Sequence, residues 1–205
     1  MKRQLLHTLY FIALKVFFVN VLIVHAPEVF PQQPWENPVV FQINTEKARS
    51  SFRSTIFPTE SGGLQNDNVN EILLNGSWKF YFASSLAELP ADFYSNKFDY
   101  SSWNEIDVPG NWQLQGNYDV PVFSNITYLF KPDPPKIPEH DNPIGVYKRK
   151  FYIPDNWLTN EIFIYFGGVQ SAMLLWINGE KVGYHEDGML PAEFRITDYL
   201  KKGEN

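Results

Sequence analysis

The dipeptide Asn178-Gly179, between two strand-like runs, is the feature that most constrains how this chain can fold. The run before it, residues 172–177, is apolar throughout, and in the run after it Val182 and Tyr184 share one face. Such a connection favours a β-hairpin, because a type I′ turn needs positive φ at both central residues. We therefore predict two antiparallel strands joined at Asn178-Gly179.

Further strands are predicted on both sides of this hairpin. Glu161 to Phe166 is a short apolar run ended by two glycines, and Trp78, Phe80 and Phe82 alternate with more polar residues. The remaining strand-like runs are Gly145 to Phe151 and Phe194 to Ile196. Helix is predicted only as single turns: residues 86–89, capped by Ser84 or Ser85, and a turn capped by Thr197 that ends near Gly203. Short strands with tight turns and almost no helix predict an all-β sandwich.

A proline-rich segment interrupts the strand pattern between residues 131 and 143. It has five prolines in thirteen residues, which excludes a helix or a central strand. We predict a long, stiffened loop. Such loops tend to carry function on a rigid scaffold.

The first 26 residues differ in kind from the rest. A basic start, Met1-Lys2-Arg3, precedes a largely apolar stretch from Leu5 to Val24, which is typical of a secretory signal peptide. The alternative is an uncleaved membrane anchor, although Lys15 in mid-segment disfavours a stable span. The predicted organisation is a signal peptide at 1–26, an extended arm at 27–70 and a sandwich domain at 71–205. The protein is therefore expected to be exported, to the periplasm or the extracellular space.

Charge and composition exclude several classes of site. The formal net charge is −6 and no basic run is longer than three residues, so nucleic acid is not expected as a partner. Cysteine is absent, which excludes disulfides and thiolate metal sites, and the four histidines lack metal-ligand spacing. Aromatic residues make up 17% of the chain. We expect most of them to pack in the core; an exposed aromatic ring is also a type of surface that stacks on sugars.

Several ordered motifs in one block resemble a known family. They are F-x-G-V-x-S-A from Phe166, W-I-N-G-x-x-V-G-Y from Trp176, and E-D-x-x-x-P-x-E-F-x-I-T-x-Y-L-x-x-G-E-N from Glu186. Together they resemble the N-terminal sugar-binding domain of family 2 glycoside hydrolases, the superfamily of β-galactosidases, β-glucuronidases and β-mannosidases. Earlier matches, L-N-G-x-W-x-F from Leu74 and G-x-Y-x-R-x-F from Gly145, extend the resemblance. It implies a jelly-roll sandwich that is incomplete at its C-terminal end, with a further strand after Asn205.

The arm narrows the resemblance within the superfamily. Trp35-Glu36-Asn37-Pro38 is similar to the segment that opens bacterial β-galactosidases. This implies hydrolysis of terminal non-reducing β-D-galactose with retention, by two Glu on a (β/α)₈ barrel that this chain lacks. It also implies Mg²⁺ and Na⁺ for the full enzyme, a homo-oligomer, and the rest of the enzyme as the partner of this part. A β-glucuronidase, a β-mannosidase and a non-catalytic carbohydrate-binding module remain the alternatives.

One candidate substrate-binding residue follows from the resemblance. In Ser124-Asn125-Ile126-Thr127-Tyr128 the matching residue is Asn125, which the family implies reaches the galactose subsite; an amide both donates and accepts hydrogen bonds. From the sequence alone a turn or cap role is favoured for Asn125, and only the resemblance raises the substrate-binding role to equal weight. A structural role is favoured for the remaining candidates. Trp112 is predicted to be a core anchor rather than a sugar-stacking ring, and Asp119 to be structural. Glu186 and Asp187 are predicted to cap backbone N–H groups with their carboxylates. No catalytic residue and no metal ligand is assigned in this chain.

Overall fold

Short antiparallel strands and single turns of 3-10 helix make up the part of the chain that the structure describes. The computed structural model describes residues 33–50, 71–122 and 130–205. Within these ranges no α-helix is present, and every strand ladder is antiparallel. The strands are β1 (Gln42–Ile43), β2 (Gly76–Ala83), β3 (Asn104–Val108), β4 (Ile144–Lys148), β5 (Tyr152–Ile153), β6 (Phe163–Phe166), β7 (Met173–Ile177), β8 (Glu180–His185), β9 (Ala192–Arg195) and β10 (Gly203–Glu204). The predicted all-β class is confirmed.

The hairpin predicted from Asn178-Gly179 is present as β7 and β8. Both turn residues have positive φ, 54° at Asn178 and 86° at Gly179, as a type I′ turn requires. Ile177 faces Glu180 across the turn, and β1 adds on the other side of β8 to give the order β1-β8-β7.

The main core lies between this hairpin and the β6–β9 pair. Ile164 of β6 and Ile162, just before that strand, are buried, and Phe194 of β9 is fully buried among them. The other members of the buried cluster are Ile153, Ile177, Val182, Ala192 and Ile196. Burying one such large apolar side chain stabilises the fold by about 1.5–3 kcal/mol, so this cluster supplies much of the driving force.

A second sheet has the order β3-β2-β4. Lys148 is the last residue of β4 in this sheet. Its ammonium lies 4.7 Å from the centre of the Tyr100 ring and 5.8 Å from that of Trp103. The same group donates to the backbone carbonyl of Ser95 at 3.3 Å. Burial lowers the pKa of Lys148, and the aromatic faces offset part of the cost of desolvating the cation.

The described part of the arm is paired with the sandwich rather than free. Gln42 pairs with His185 and Ile43 with Tyr184, and Thr45 forms a bridge to Phe194 of β9. The backbone N–H of Glu46 donates to the carbonyl of Glu193 at 2.8 Å. The arm thus covers edges of both β8 and β9, and a covered edge no longer offers unpaired N–H and C=O groups. Arm residues 27–32 and 51–70 lie outside the described ranges.

Three local predictions are corrected by the structure. Thr197 begins a 3-10 turn, Thr197–Tyr199, instead of capping it, because its hydroxyl binds the backbone of Ile162. The turn does not reach Gly203, which belongs to β10 and pairs with Ile153. The turn predicted at 86–89 is a 3-10 turn over Leu86–Glu88 with Ser85 at the N-cap position, but that side chain makes no capping bond.

The Ser84 side chain instead donates a hydrogen bond to Glu88 Oε1 at 2.8 Å.

The export segment at 1–26 lies outside the described residues. In the ranges that are described, no helix is both long and apolar enough to cross a bilayer.

Candidate functional site

The connection from β3 to β4, residues 109–143, is the element that carries the candidate site. It begins after Val108 of β3, which pairs with Gly76 at the start of β2. It ends before Ile144 of β4, which pairs with Ala83 at the end of β2. At about 3.4 Å per residue, these two points are roughly 24 Å apart along β2. The connection must therefore run the length of the β3-β2-β4 sheet.

Aromatic packing fixes the first half of this connection on one face of the sheet. Trp112 starts a 3-10 turn, Trp112–Leu114, and its ring lies 5.9 Å from Phe80 and 6.0 Å from Phe82. Tyr118 stands edge-on to Phe80 at 4.9 Å. Gly145 makes room for the indole, since a Cβ there would come within 2.4 Å of Trp112 Cζ3. The half-buried Trp112 therefore acts as a core anchor, as the more conservative interpretation predicted.

Gln115, which was not singled out from the sequence, clamps the same segment to β3. Its side-chain oxygen accepts from the backbone N–H of Asp107 at 2.7 Å, and its Nε2 donates to the Asp107 carbonyl at 3.0 Å. The Gln115 amide thereby supplies hydrogen-bond partners to the backbone of the edge strand β3, as a neighbouring strand would. Its sequence neighbourhood gives no signal for this role, because the clamp depends on the path of the loop.

The part of the connection nearest the candidate residue is apolar and exposed. Val120 and Val122 are 67% and 59% exposed on one side of residues 123–129, and Phe130 is 43% exposed on the other. Asp119 accepts a hydrogen bond from the backbone N–H of Val120 at 2.8 Å, a local structural role that agrees with the prediction. Asn125 lies outside the described residues. Residues 131–143 form neither helix nor extended strand, which confirms the predicted loop.

Glu186 and Asp187 are both engaged in local hydrogen bonds. The Tyr184 hydroxyl donates to Glu186 Oε2 at 2.8 Å, and burial together with this bond raises the pKa of Tyr184. Asp187 Oδ1 accepts from the backbone N–H groups of Met189, at 2.8 Å, and Leu190, at 3.2 Å. The capping interpretation is therefore correct for Asp187, and Glu186 serves the buried tyrosine.

The described residues do not fit a metal ion of the kind implied for the full enzyme. Mg²⁺ is held by carboxylate and other oxygen ligands that converge on one point. In residues 33–50, 71–122 and 130–205, no group of three or more His, Asp or Glu side chains is placed to hold a metal ion.

The arrangement can position a loop, but it presents no assembled chemistry in the described ranges. Trp112, Tyr118 and Gln115 hold the entry to the loop on a rigid sheet, and burial raises the pKa of Tyr147 in the same aromatic cluster. Such a platform suits a domain that offers binding residues to a site completed by another part of the protein.

Comparison with known proteins settles the family. Residues 72–205 match the family model described as glycosyl hydrolases family 2, sugar binding domain. The chain belongs to glycosyl hydrolase family 2. The anchored loop thus lies in the sugar-binding domain of this family, and the resemblance inferred from the sequence motifs is confirmed.

Relatives extend the similarity beyond the family domain. The chain is 42% identical over 176 residues to a β-galactosidase of Priestia megaterium, covering 82% of this chain and 17% of the relative. It is 39% identical over 180 residues to a β-galactosidase of Leuconostoc mesenteroides subsp. mesenteroides, covering 87% of this chain and 17% of the relative. These alignments are longer than the 72–205 domain, so they include residues that precede it. The chain spans about one sixth of the length of these curated relatives.

Among solved structures, the chain is similar to the β-glucuronidase of Bifidobacterium dentium in complex with coumarin-3-O-glucuronide. The TM-score is 0.45 with 22% sequence identity, over 64% of this chain and 18% of that chain.

Proposed function

We propose that this chain is the N-terminal part of a retaining β-galactosidase that hydrolyses terminal, non-reducing β-D-galactose residues. The observation that carries the proposal is the 42% and 39% identity to two β-galactosidases over more than four fifths of the chain. The Trp35-to-Pro38 motif, which resembles the arm of β-galactosidases, favours this activity over β-glucuronidase or β-mannosidase. The catalytic carboxyl pair belongs to a barrel outside this sequence.

In this proposal the sugar-binding domain supplies contacts and scaffold. Val120, Val122 and Phe130, on either side of residues 123–129 in the sequence, are exposed, and exposed apolar side chains suit contact with the rest of the same enzyme. Asn125, between them in the sequence, supplies the contact to the galactose. Trp112 and Gln115 hold the entry to the connection on the β3-β2-β4 sheet.

The remaining expectations for the whole protein belong to the same proposal. The apolar segment 1–26 directs export to the periplasm or the extracellular space, and an uncleaved segment would anchor the protein in the membrane. The full enzyme forms a homo-oligomer. Any Mg²⁺ or Na⁺ site requires ligands outside the residues described here.

The test is activity on chromogenic glycosides. The 205-residue chain is expected to be inactive, and the protein encoded by the continuing reading frame is expected to cleave a β-galactoside in preference to a β-glucuronide or β-mannoside. In that longer protein, Asn125→Ala should lower kcat/KM at least about tenfold, the cost of one lost polar contact to the substrate. Asp119→Ala provides a matched control from the same loop, with an effect within about twofold.

A preference for β-glucuronides or β-mannosides would refute the proposed substrate. Activity of Asn125→Ala equal to that of the Asp119→Ala control would return Asn125 to a purely structural role.

A further inference from the structure

Phe163 and Tyr165 present two aromatic rings on the outward face of β6. Alternation along the strand turns Ile162 and Ile164 into the core, and it leaves Phe163 and Tyr165 41% and 62% exposed. Two residues of an antiparallel strand span about 6.8 Å, so the two rings are close enough to contact one ligand at the same time. Two large rings exposed on a common face are more informative than scattered apolar residues.

Charged groups from β9 lie directly beside these rings. Arg195 is the cross-strand partner of Phe163, and Glu193 is the partner of Tyr165. Arg195 donates to Glu161 Oε1 at 3.2 Å and to Asp198 Oδ2 at 2.6 Å. Because these contacts fix the guanidinium, less side-chain entropy is lost when it binds a ligand.

Glu193 is fixed in the same way from the arm. Its Oε2 accepts from Arg49 Nε at 3.0 Å, and the second carboxylate oxygen accepts from Arg49 Nη2. On the outward face, the rings of Phe163 and Tyr165 on β6 therefore lie beside the planar charged groups of Arg195 and Glu193 on β9.

The balance of charge on this face selects the chemistry of its ligand. Two guanidinium groups stand against three carboxylates, so the face is nearly neutral and does not attract a polyanion or an acidic membrane surface. A neutral ligand with both an apolar side and hydroxyl groups suits it. A pyranose ring has this combination, because its C–H face packs on an aromatic ring while its hydroxyls donate to carboxylates and accept from guanidinium groups.

We propose that the outward face of β6 and β9 binds a neutral oligosaccharide chain, with sugars stacked on Phe163 and Tyr165 and their hydroxyls held by Arg195 and Glu193. This inference goes beyond the proposed function, because it concerns retention of a polymer without any turnover. It would keep the protein on a polysaccharide from which chain ends are released.

The test is affinity electrophoresis of the full 205-residue chain in native gels with soluble β-1,4-galactan. Hydroxyethylcellulose serves as a second polymer with a different sugar. The parent chain should be retarded, and Phe163→Ala/Tyr165→Ala should raise the apparent Kd about tenfold or more. Tyr165→Phe keeps the ring and should retain most of the binding.

Tyr152→Ala is the matched control. Tyr152 is 61% exposed, but it lies on β5, which pairs with β10 instead of β9. This variant should be retarded as strongly as the parent. Thermal unfolding of each variant checks that the fold is kept, and the single variants Phe163→Ala and Tyr165→Ala replace the double variant if it unfolds.

Equal retardation of the parent and the ring variants would overturn the proposal, and so would a parent that neither polymer retards. Sedimentation velocity adds one more outcome: a dimer that the ring variants disrupt would assign this face to a second copy of the chain. Because no turnover is measured, failure here leaves the proposed β-galactosidase activity standing. Binding to hydroxyethylcellulose alone supports the platform but counts against galactan as its ligand.

Discussion

Asn178 offers the sharpest test of the physical argument, because two separable effects meet in one side chain. Its φ of 54° is in the left-handed region, which Asn tolerates and Ala does not. Its Nδ2 also donates to the Tyr199 carbonyl and to Asn205 Oδ1, both at 2.8 Å. The turn of the hairpin is thereby tied to the 3-10 turn Thr197–Tyr199 and to Asn205, the residue after β10.

Substitution to Ala removes both effects, whereas substitution to Gly removes only the hydrogen bonds. Two bonds at about 0.5–1.5 kcal/mol each give a loss of about 1–3 kcal/mol for Asn178→Gly. The left-handed backbone adds about 1–2 kcal/mol for Ala, so Asn178→Ala should lose about 2–5 kcal/mol. The free energy of unfolding from urea denaturation of the full chain measures both values.

Asn160→Ala is the control for removal of an exposed asparagine, and its effect should stay within about 0.5 kcal/mol. Equal losses in the Ala and Gly variants would refute the backbone argument. A Gly variant as stable as the parent would refute the hydrogen-bond argument, and the type I′ turn alone would then account for the residue at this position.

Two smaller predictions concern the packing of the loop and one carboxylate. Gly145→Ala should lower the free energy of unfolding by about 1–3 kcal/mol, because the new Cβ would meet the Trp112 ring, whereas Gly167→Ala, with no atom nearer than 3.9 Å, should be close to neutral in the same urea assay. Hydrogen bonds from the backbone N–H and the hydroxyl of Ser84 hold the pKa of the Glu88 carboxyl below its ordinary value of 4.5, so the stability that this carboxylate contributes is present above pH 4.5 and is lost as the pH falls through the folded pKa. An NMR titration of Glu88 should show this low midpoint. Ser84→Ala should raise the midpoint without restoring 4.5, because the backbone hydrogen bond remains.

Features set by a few neighbouring residues were predictable from the sequence. The hairpin follows from Asn178-Gly179 because the backbone requirement of the turn falls on those two residues alone. The proline-rich loop and the alternation of Trp78, Phe80 and Phe82 depend equally on local chemistry. The family was also predictable, since its motifs lie in a single block of the sequence.

Features that depend on distant partners were not predictable in the same way. The sequence around Gly203 reads as the end of a helical turn, but the segment pairs with β5 because the Phe151 and Asn205 backbones exchange two hydrogen bonds, at 3.1 and 2.8 Å. Gln115 becomes a clamp only where the loop returns to Asp107. Neither contact can be predicted from the residues that are its neighbours in the sequence.

Gly183 shows how a motif residue can have its reason in a distant part of the chain. A Cβ at this position would lie 2.4 Å from the carbonyl oxygen of Ile43 and 2.6 Å from Phe194 Cε1. The glycine therefore permits β1 of the arm to approach β8 and the core phenylalanine to approach it as well. The V-G-Y motif and the arm, which the sequence presents as separate marks of the family, are two sides of one packing contact. This explains in physical terms why the arm segment at 42–46 belongs with the sandwich.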